Sequence, residues 1–316
     1  MKQGLMIIFR AERIAFKMIT AIAGLETGVI TPTEKINDIG VYKKAHEPAC
    51  WIWNSYGMSH GWLNVTEAIT HSCNYFFYEV GYRATIDNIA KYAKYYGLGE
   101  KTNVELPMEE KGIVATRDKA KERGDEWQIG ETLSAAIGQS YNSYTPIQMA
   151  KYISMLANGG EPIDVTIVKS INDVNGNQVS KEDITKFVNA KLGLTKEKKE
   201  NLNIKKENID AILKGMKGVT SEEGGTAYST FANFNIELGG KTGSAQTDVQ
   251  GKINGWFVGF APYEEPEIAV VVLVENAGSG SYTAEVARDI LQEYFGMNME
   301  KVEEDLTAMP STEIQN

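Results

Sequence analysis

Two stretches of the sequence hold side chains whose types and spacing suit work on a carboxylate or a carbonyl. In LGGKTGSAQTD, residues 238–248, Lys241 and Thr242 follow the glycine pair Gly239 and Gly240 and precede Gly243 and Ser244. An ammonium pairs with a carboxylate and a neighbouring hydroxyl adds a hydrogen bond, so this triplet on a strand suits the anionic end of a ligand. The glycines remove side chains where an extended ligand would lie against the strand. The alternative is a lysine on a solvated strand end. Chemistry on a carbonyl then needs a second hydroxyl across a groove. Ser-x-Asn occurs at Ser72 with Asn74, Ser140 with Asn142, and Ser170 with Asn172. Of these pairs, Ser72 and Asn74 fall at a break between two helical stretches, where side chains can project into a cleft. The alternative for Ser72 is a helix cap.

The surrounding patterns say which elements position these residues. GWFVGFAP (255–262) and IAVVVLV (268–274) read as adjacent antiparallel strands, which places Lys241 on a sheet, at an edge open to an extended substrate. Ile14, Met18, Ile22 and Leu25 recur at helical spacing up to Gly28, a core helix with Lys17 near its start. Residues 29–62 are loop-rich, and Trp51, Trp53 and Trp62 suggest an ordered, aromatic-packed excursion. Residues 64–84 give a helix, a break at His71 to Cys73 and a second helix, with helical pattern continuing to Gly99. Residues 101–116 read as turn and short strand, and a loop is expected at Gly138 and Gln139. A helix from Pro146 to Asn158 is closed by Gly159 and Gly160. A hairpin with an Asn175-Gly176 turn spans 163–183, and helices cover Asn208 to Val219 and residues 283–296. Helices, then strands, then a helix returning to the sheet argue for an α+β fold, an antiparallel sheet flanked by helices with a largely helical lobe.

Composition bounds the function classes. A chain of 316 residues, 42% hydrophobic, can bury a substantial core. A net charge of −10 and the lack of a basic patch interleaved with aromatics argue against nucleic acid. The lysine-rich stretch 191–206 alternates with Glu and Asn and reads as a solvated helical face. Cys50 and Cys73 permit one disulfide or none. His46, His60, His71 and the two cysteines show no metal-ligand spacing, so no metal or cofactor is expected. No apolar run approaches the length of a membrane span, and the first residues carry no leader cleavage pattern.

FKMITAIAGLETGVI, WIWNSYG, SCNYFFYEVG, YYGLGEKTNVELP, LSAAIGQSYNSYTPIQMA, GGKTGSAQ and GWFVGFAP together resemble the penicillin-binding proteins, serine D,D-transpeptidases of peptidoglycan synthesis, particularly the class B, penicillin-binding protein 2-like members. The resemblance runs from about Phe16 to about Gly296. It implies a transpeptidase domain over 16–296, a foreign or disrupted segment over 1–15 and an acidic, frayed tail over 297–316. Carried over by position, Lys17 matches the general base, Ser72 the proton-relaying hydroxyl and Asn74 the amide that holds the substrate peptide. Lys241 and Thr242, with Gly243, match the strand that binds the terminal carboxylate of a stem peptide or β-lactam. The N–H of Ser244 matches an oxyanion-hole donor. The implied partners are the peptidoglycan stem peptide and β-lactams. The implied setting is the outer face of the bacterial plasma membrane, with a membrane-anchored parent and cell-wall assembly partners.

One departure stands out. Where the family places its nucleophilic serine, three residues before Lys17, this chain has Ile14, and Glu12 and Arg13 replace the usual Pro-Gly. No other serine is followed by lysine at the third position. No acyl-enzyme is therefore expected. The chain is read either as the product of a truncated, damaged gene or as an inactive relative that binds without turnover.

Overall fold

A computed structural model describes residues 15–106, 108–193, 201–246, 252–277 and 280–297. The chain opens on α1 (Lys17–Glu26), in which every residue but Glu26 is buried. A helix apolar on all sides is a central helix, and α1 packs on α4 (Asn74–Tyr95) and α9 (Lys206–Ser221). The excursion after it contains β1 (Ile36–Asp38) paired antiparallel with β2 (Gly61–Leu63), and α2 (Trp51–Tyr56) between them. Aromatic packing is only part of what orders it, because Trp53 and Trp62 are exposed.

α3 (Val65–Thr70) starts on a capping box, with Asn64 accepting from the Glu67 N–H and the Glu67 carboxylate accepting from the Asn64 N–H. It stops at His71, and α4 restarts at Asn74 with Cys73 as its cap. Ser72 lies between them with φ 54°, a left-handed turn that separates the two helix axes. α4 is kinked at Thr85. α5 (Arg117–Glu122), α6 (Ile129–Ala136), α7 (Pro146–Ala157), α8 (Lys181–Leu192) and α10 (Tyr228–Phe231) complete the helical part before the sheet.

β3 (Gly239–Gln246), β4 (Ile253–Ala261) and β5 (Ile268–Val274) form an antiparallel sheet in that order, which leaves β3 at an edge among the described strands. β4 is buried from Asn254 to Ala261 without alternation, so both its faces are covered. α11 (Ser281–Tyr294) and α7 pack on β4 and β5, while α9 packs on β3. The α+β architecture, the edge position of Lys241 and the break at Ser72 match the expectations.

Three local readings differ. The described residues of 101–116 form no strand; one isolated bridge joins Ile113 to Ser143, because Asn142 uses its side chain to hold the Ala115 N–H and no ladder follows. The hairpin expected over 163–183 reduces to a single bridge, Asn172 to Gln178, around the Asn175-Gly176 turn, and α8 begins within the same span. The lysine-rich face expected over 191–206 is not one helix, since Gly193 ends α8 in a left-handed conformation and α9 starts at Lys206; residues 194–200 lie outside the described residues. The segment before residue 15 and the tail from 298 lie outside them too.

Candidate active site

α1 and the α3–α4 break meet through one side chain. Lys17 is 7% exposed. Its Nζ donates to Ser72 O at 2.6 Å, Ser72 Oγ at 2.9 Å and Asn74 Oδ1 at 2.6 Å. Three oxygens for three ammonium protons are a complete shell for a buried cation. Burial nevertheless pushes the Lys17 ammonium down from 10.5 to about 8, with Cys50 and Cys73 opposing the shift. Ser72 is no helix cap: that place is taken by the Cys73 sulfur, which accepts from the Phe76 N–H. The break is fastened from the other side by Trp51, whose indole N–H donates to His71 O at 3.1 Å.

β3 supplies the opposite wall. Lys241 is 1% exposed, which sets aside the solvated strand end, and its Nζ donates to Thr242 O at 2.9 Å. Burial first, and the Lys17 charge second, hold its ammonium well below the ordinary lysine range. Two buried cations facing one space favour a negative group there, and a carboxylate supplies it. Thr242 Oγ1 and Thr226 Oγ1 are 2.7 Å apart, and Ser244 Oγ accepts from the Gly280 N–H at 3.1 Å.

The glycine pair has a different cause from the one its position suggests. A Cβ on Gly239 would lie 2.5 Å from the Phe260 ring, and one on Gly240 would lie 2.7 Å from the Phe257 ring. The two Cβ positions fall on opposite faces of β3, and an aromatic ring of β4 occupies the space at each.

The two walls enclose a cavity of about 440 Å³ lined by Lys17, Ser72, Asn74, Lys241, Thr242, Gly243 and Ser244. All seven residues singled out in the sequence therefore share one space. Ile14, the eighth position, lies outside the described residues. The other Ser-x-Asn pairs are elsewhere: Asn142 is a buried strut bonded to Ala115, Ala135 and Tyr144, and Ser170 and Asn172 are exposed. Trp51, Gln139, Thr226 and Ser281 also line the cavity and were not anticipated as site residues. Thr226 had one local signal, the preceding Gly224-Gly225, and Trp51 opens the WIWNSYG stretch; nothing in its local sequence marked Ser281.

Behind Ser72 and Asn74 lies a second cluster. Ligand atoms of Asp38, Cys50, His60 and Cys73 all fall within 4.8 Å of one another, so these side chains could hold a metal ion, contrary to what the spacing along the chain suggested. Asp38 ends β1, His60 immediately precedes β2, and Cys50 and Cys73 are the caps of α2 and α4. Burial disfavours both charges, but the hydrogen bonds between them prevail: Asp38 is held down to about 2 and His60 is pushed up to about 9. Both cysteines are free and buried.

Comparison with known proteins identifies the family. The model of the penicillin binding protein transpeptidase domain matches residues 15–292. The peptidoglycan D,D-transpeptidase MrdA of Haemophilus influenzae is 30% identical over 304 residues, 91% of this chain and 44% of that relative. MrdA of Escherichia coli is 30% identical over 291 residues, 87% of this chain and 44% of the relative. This chain thus spans less than half the length of these curated relatives. The structure of PBP2 from Pseudomonas aeruginosa matches with a TM-score of 0.77 at 30% identity, covering 90% of this chain and 61% of that one. PBP2 from Helicobacter pylori matches at 0.74 and 27% identity, covering 92% and 50%. A sheet-edge Lys-Thr-Gly facing a Ser-x-Asn break and a helix-borne lysine, within a match that runs almost from end to end, means that the chain belongs to the penicillin-binding protein transpeptidase domain family.

Proposed function

We propose that this cavity is the stem-peptide groove of a peptidoglycan D,D-transpeptidase domain occupying residues 16–296, and that with Ile14 at the nucleophile position it binds D-Ala-D-Ala peptides and β-lactams without forming an acyl-enzyme. The observation that carries the reading is the hydrogen-bonded set of Lys17, Ser72 and Asn74 facing the buried Lys241 across one cavity. Lys241 and Thr242 take the terminal carboxylate, where burial and the Lys17 charge favour a negative partner for the ammonium. Asn74 holds the peptide amide, and Ser72 with Lys17 forms the proton path that an attacking serine would use. The N–H of Ser244 serves the carbonyl oxygen. Membership of the penicillin-binding protein family favours a place on the outer face of the bacterial plasma membrane among cell-wall assembly partners; among the described residues no helix is long and apolar enough to cross a membrane.

An isoleucine side chain offers no attacking oxygen, which favours a peptide-binding or scaffold role over turnover. Incubation with a fluorescent penicillin followed by denaturing electrophoresis should leave the chain unlabelled, while fluorescence anisotropy before denaturation reports binding that excess D-Ala-D-Ala peptide reverses. A covalent band overturns the loss of acylation, and no reversible binding overturns the groove.

A further inference from the structure

We infer that Thr226 is a positioning residue that makes the groove select a terminal carboxylate over a neutral end: its hydroxyl donates to Thr242, and the Thr242 proton is thereby turned toward the ligand. The inference rests on the stem-peptide reading of the groove and names what sets its preference for charge. The loop between α9 and α10 builds the place of this side chain. Ala227 N–H donates to Val219 O at 2.9 Å and Gly225 N–H to Glu222 O at 2.8 Å, which folds the loop back onto the end of α9. The approach is so close that a Cβ on Gly225 would lie 2.3 Å from Gly218 O. On the other side His71, next to Ser72, donates from Nδ1 to Gly224 O at 3.1 Å. The loop therefore runs from the Ser72 wall to the β3 wall and delivers Thr226 to the cavity, its Oγ1 2.7 Å from Thr242 Oγ1.

The direction of that bond follows from counting protons. A hydroxyl has one proton and two lone pairs, an ammonium can only donate, and a carboxylate can only accept. Among the described residues each of the two threonine hydroxyls has the other as its hydrogen-bond partner. With a carboxylate beside Lys241, the Thr242 proton goes to the ligand and the Thr242 oxygen is left to accept. Thr226 holds the proton within reach of it. From Thr226 to Thr242 to carboxylate all donors then point one way, and each bond polarises the next. A C-terminal amide puts an N–H where one carboxylate oxygen would be. Thr242 must then accept from the ligand and turn its own proton back to Thr226, which reverses the relay and removes its benefit.

Fluorescein-labelled Lys-D-Ala-D-Ala, as the free acid and as the C-terminal amide, is titrated into the full chain and followed by anisotropy. The same titrations are made on Thr226→Val, Thr226→Ser, Thr242→Val and the Thr226→Val, Thr242→Val double variant, with melting temperatures measured in parallel. Thr226→Val should weaken binding of the free acid about three- to tenfold, the net worth of one hydrogen bond, and that of the amide by less than about twofold. Thr226→Ser, which keeps the donor, should bring the free acid back to within about twofold of the parent. In the Thr242→Val chain, Thr226→Val should cost less than about a further twofold, because the partner it acts through is gone. Equal losses for acid and amide, a Thr226→Ser variant as weak as Thr226→Val, or full additivity with Thr242→Val would overturn the inference and leave the groove standing. Failure of the parent chain to bind the free acid overturns both. If Thr226→Val melts well below the parent, Thr226→Ala takes its place in the cycle, and the free-acid cycle decides by itself if the amide binds too weakly to measure.

Discussion

Lys17 concentrates the physics of the site at the scale of one residue. Its ammonium is buried, satisfied by three oxygens, and still destabilised relative to water. The folded pKa of about 8 lies below the unfolded value of 10.5, so between these values the unfolded chain binds more protons. The cost of burying the cation is fully present below pH 8 and is relieved as pH rises toward 10.5. Each tenfold loss of proton affinity corresponds to about 1.4 kcal/mol, so the native chain should gain up to about 3 kcal/mol relative to Lys17→Met across that window. Urea midpoints of the two proteins at matched pH measure it, and a difference that stays flat with pH would mean that Lys17 is not a buried cation. The Ser72 hydroxyl shares this site, and its left-handed backbone aims it at Lys17 where a helical residue would point back along its own helix.

At the scale of elements, α9 sets the width of the groove, because it touches both walls. On one side Thr66 and Thr70 of α3 donate to Ala211 O at 2.8 Å and Gly215 O at 3.2 Å. On the other, the Thr220 hydroxyl donates to Leu238 O at 2.8 Å, just before β3. The approach to α3 depends on Gly218, where an added Cβ would lie 2.3 Å from Thr70 Oγ1. Gly218→Val should push α3, and the Ser72 turn that follows it, away from β3. The expected cost is about 1–3 kcal/mol of stability, together with weaker β-lactam binding. Lys214→Ala, on the exposed side of the same helix, should change stability by less than about 0.5 kcal/mol and leave binding unaltered. Equal losses in both variants would show that α9 acts only through its helicity. Parallel measurement of urea midpoints and fluorescent-penicillin anisotropy separates these outcomes.

At the scale of the molecule, the cavity runs against the overall charge. A chain of net charge −10 encloses two lysines in one space and buries both. An anionic ligand that binds the folded state and not the unfolded one stabilises by mass action, about 2.7 kcal/mol at a hundred times its Kd. A peptide ending in D-Ala-D-Ala should therefore raise the melting temperature by several degrees at saturation, and the same peptide amidated at its C-terminus should not. An equal shift from both would remove the carboxylate from the recognition and with it the role of Lys241.

Local signals carried much of this: alternation of glycines with β-branched and aromatic runs located β3 to β5, helical periodicity located α1, and the Ser-x-Asn and Lys-Thr-Gly triplets were legible because each is a short contiguous motif. Residue types alone also determined that position 14 offers no nucleophile. Tertiary packing decided the rest. Lys17 and Ser72 are 55 residues apart, and no local pattern says that α1 presents its lysine to the α3–α4 break, since periodicity reports that a face is buried and not what buries it. The burial of Lys241, the aromatic rings that explain Gly239 and Gly240, and the meeting of Thr226 with Thr242 arise the same way. The Asp38, Cys50, His60 and Cys73 cluster is the sharpest case. Its donors come from two strand ends and two helix caps, with spacings that match no linear ligand motif, and only the folding of the excursion back onto α3 and α4 brings them within bonding reach of a common ion.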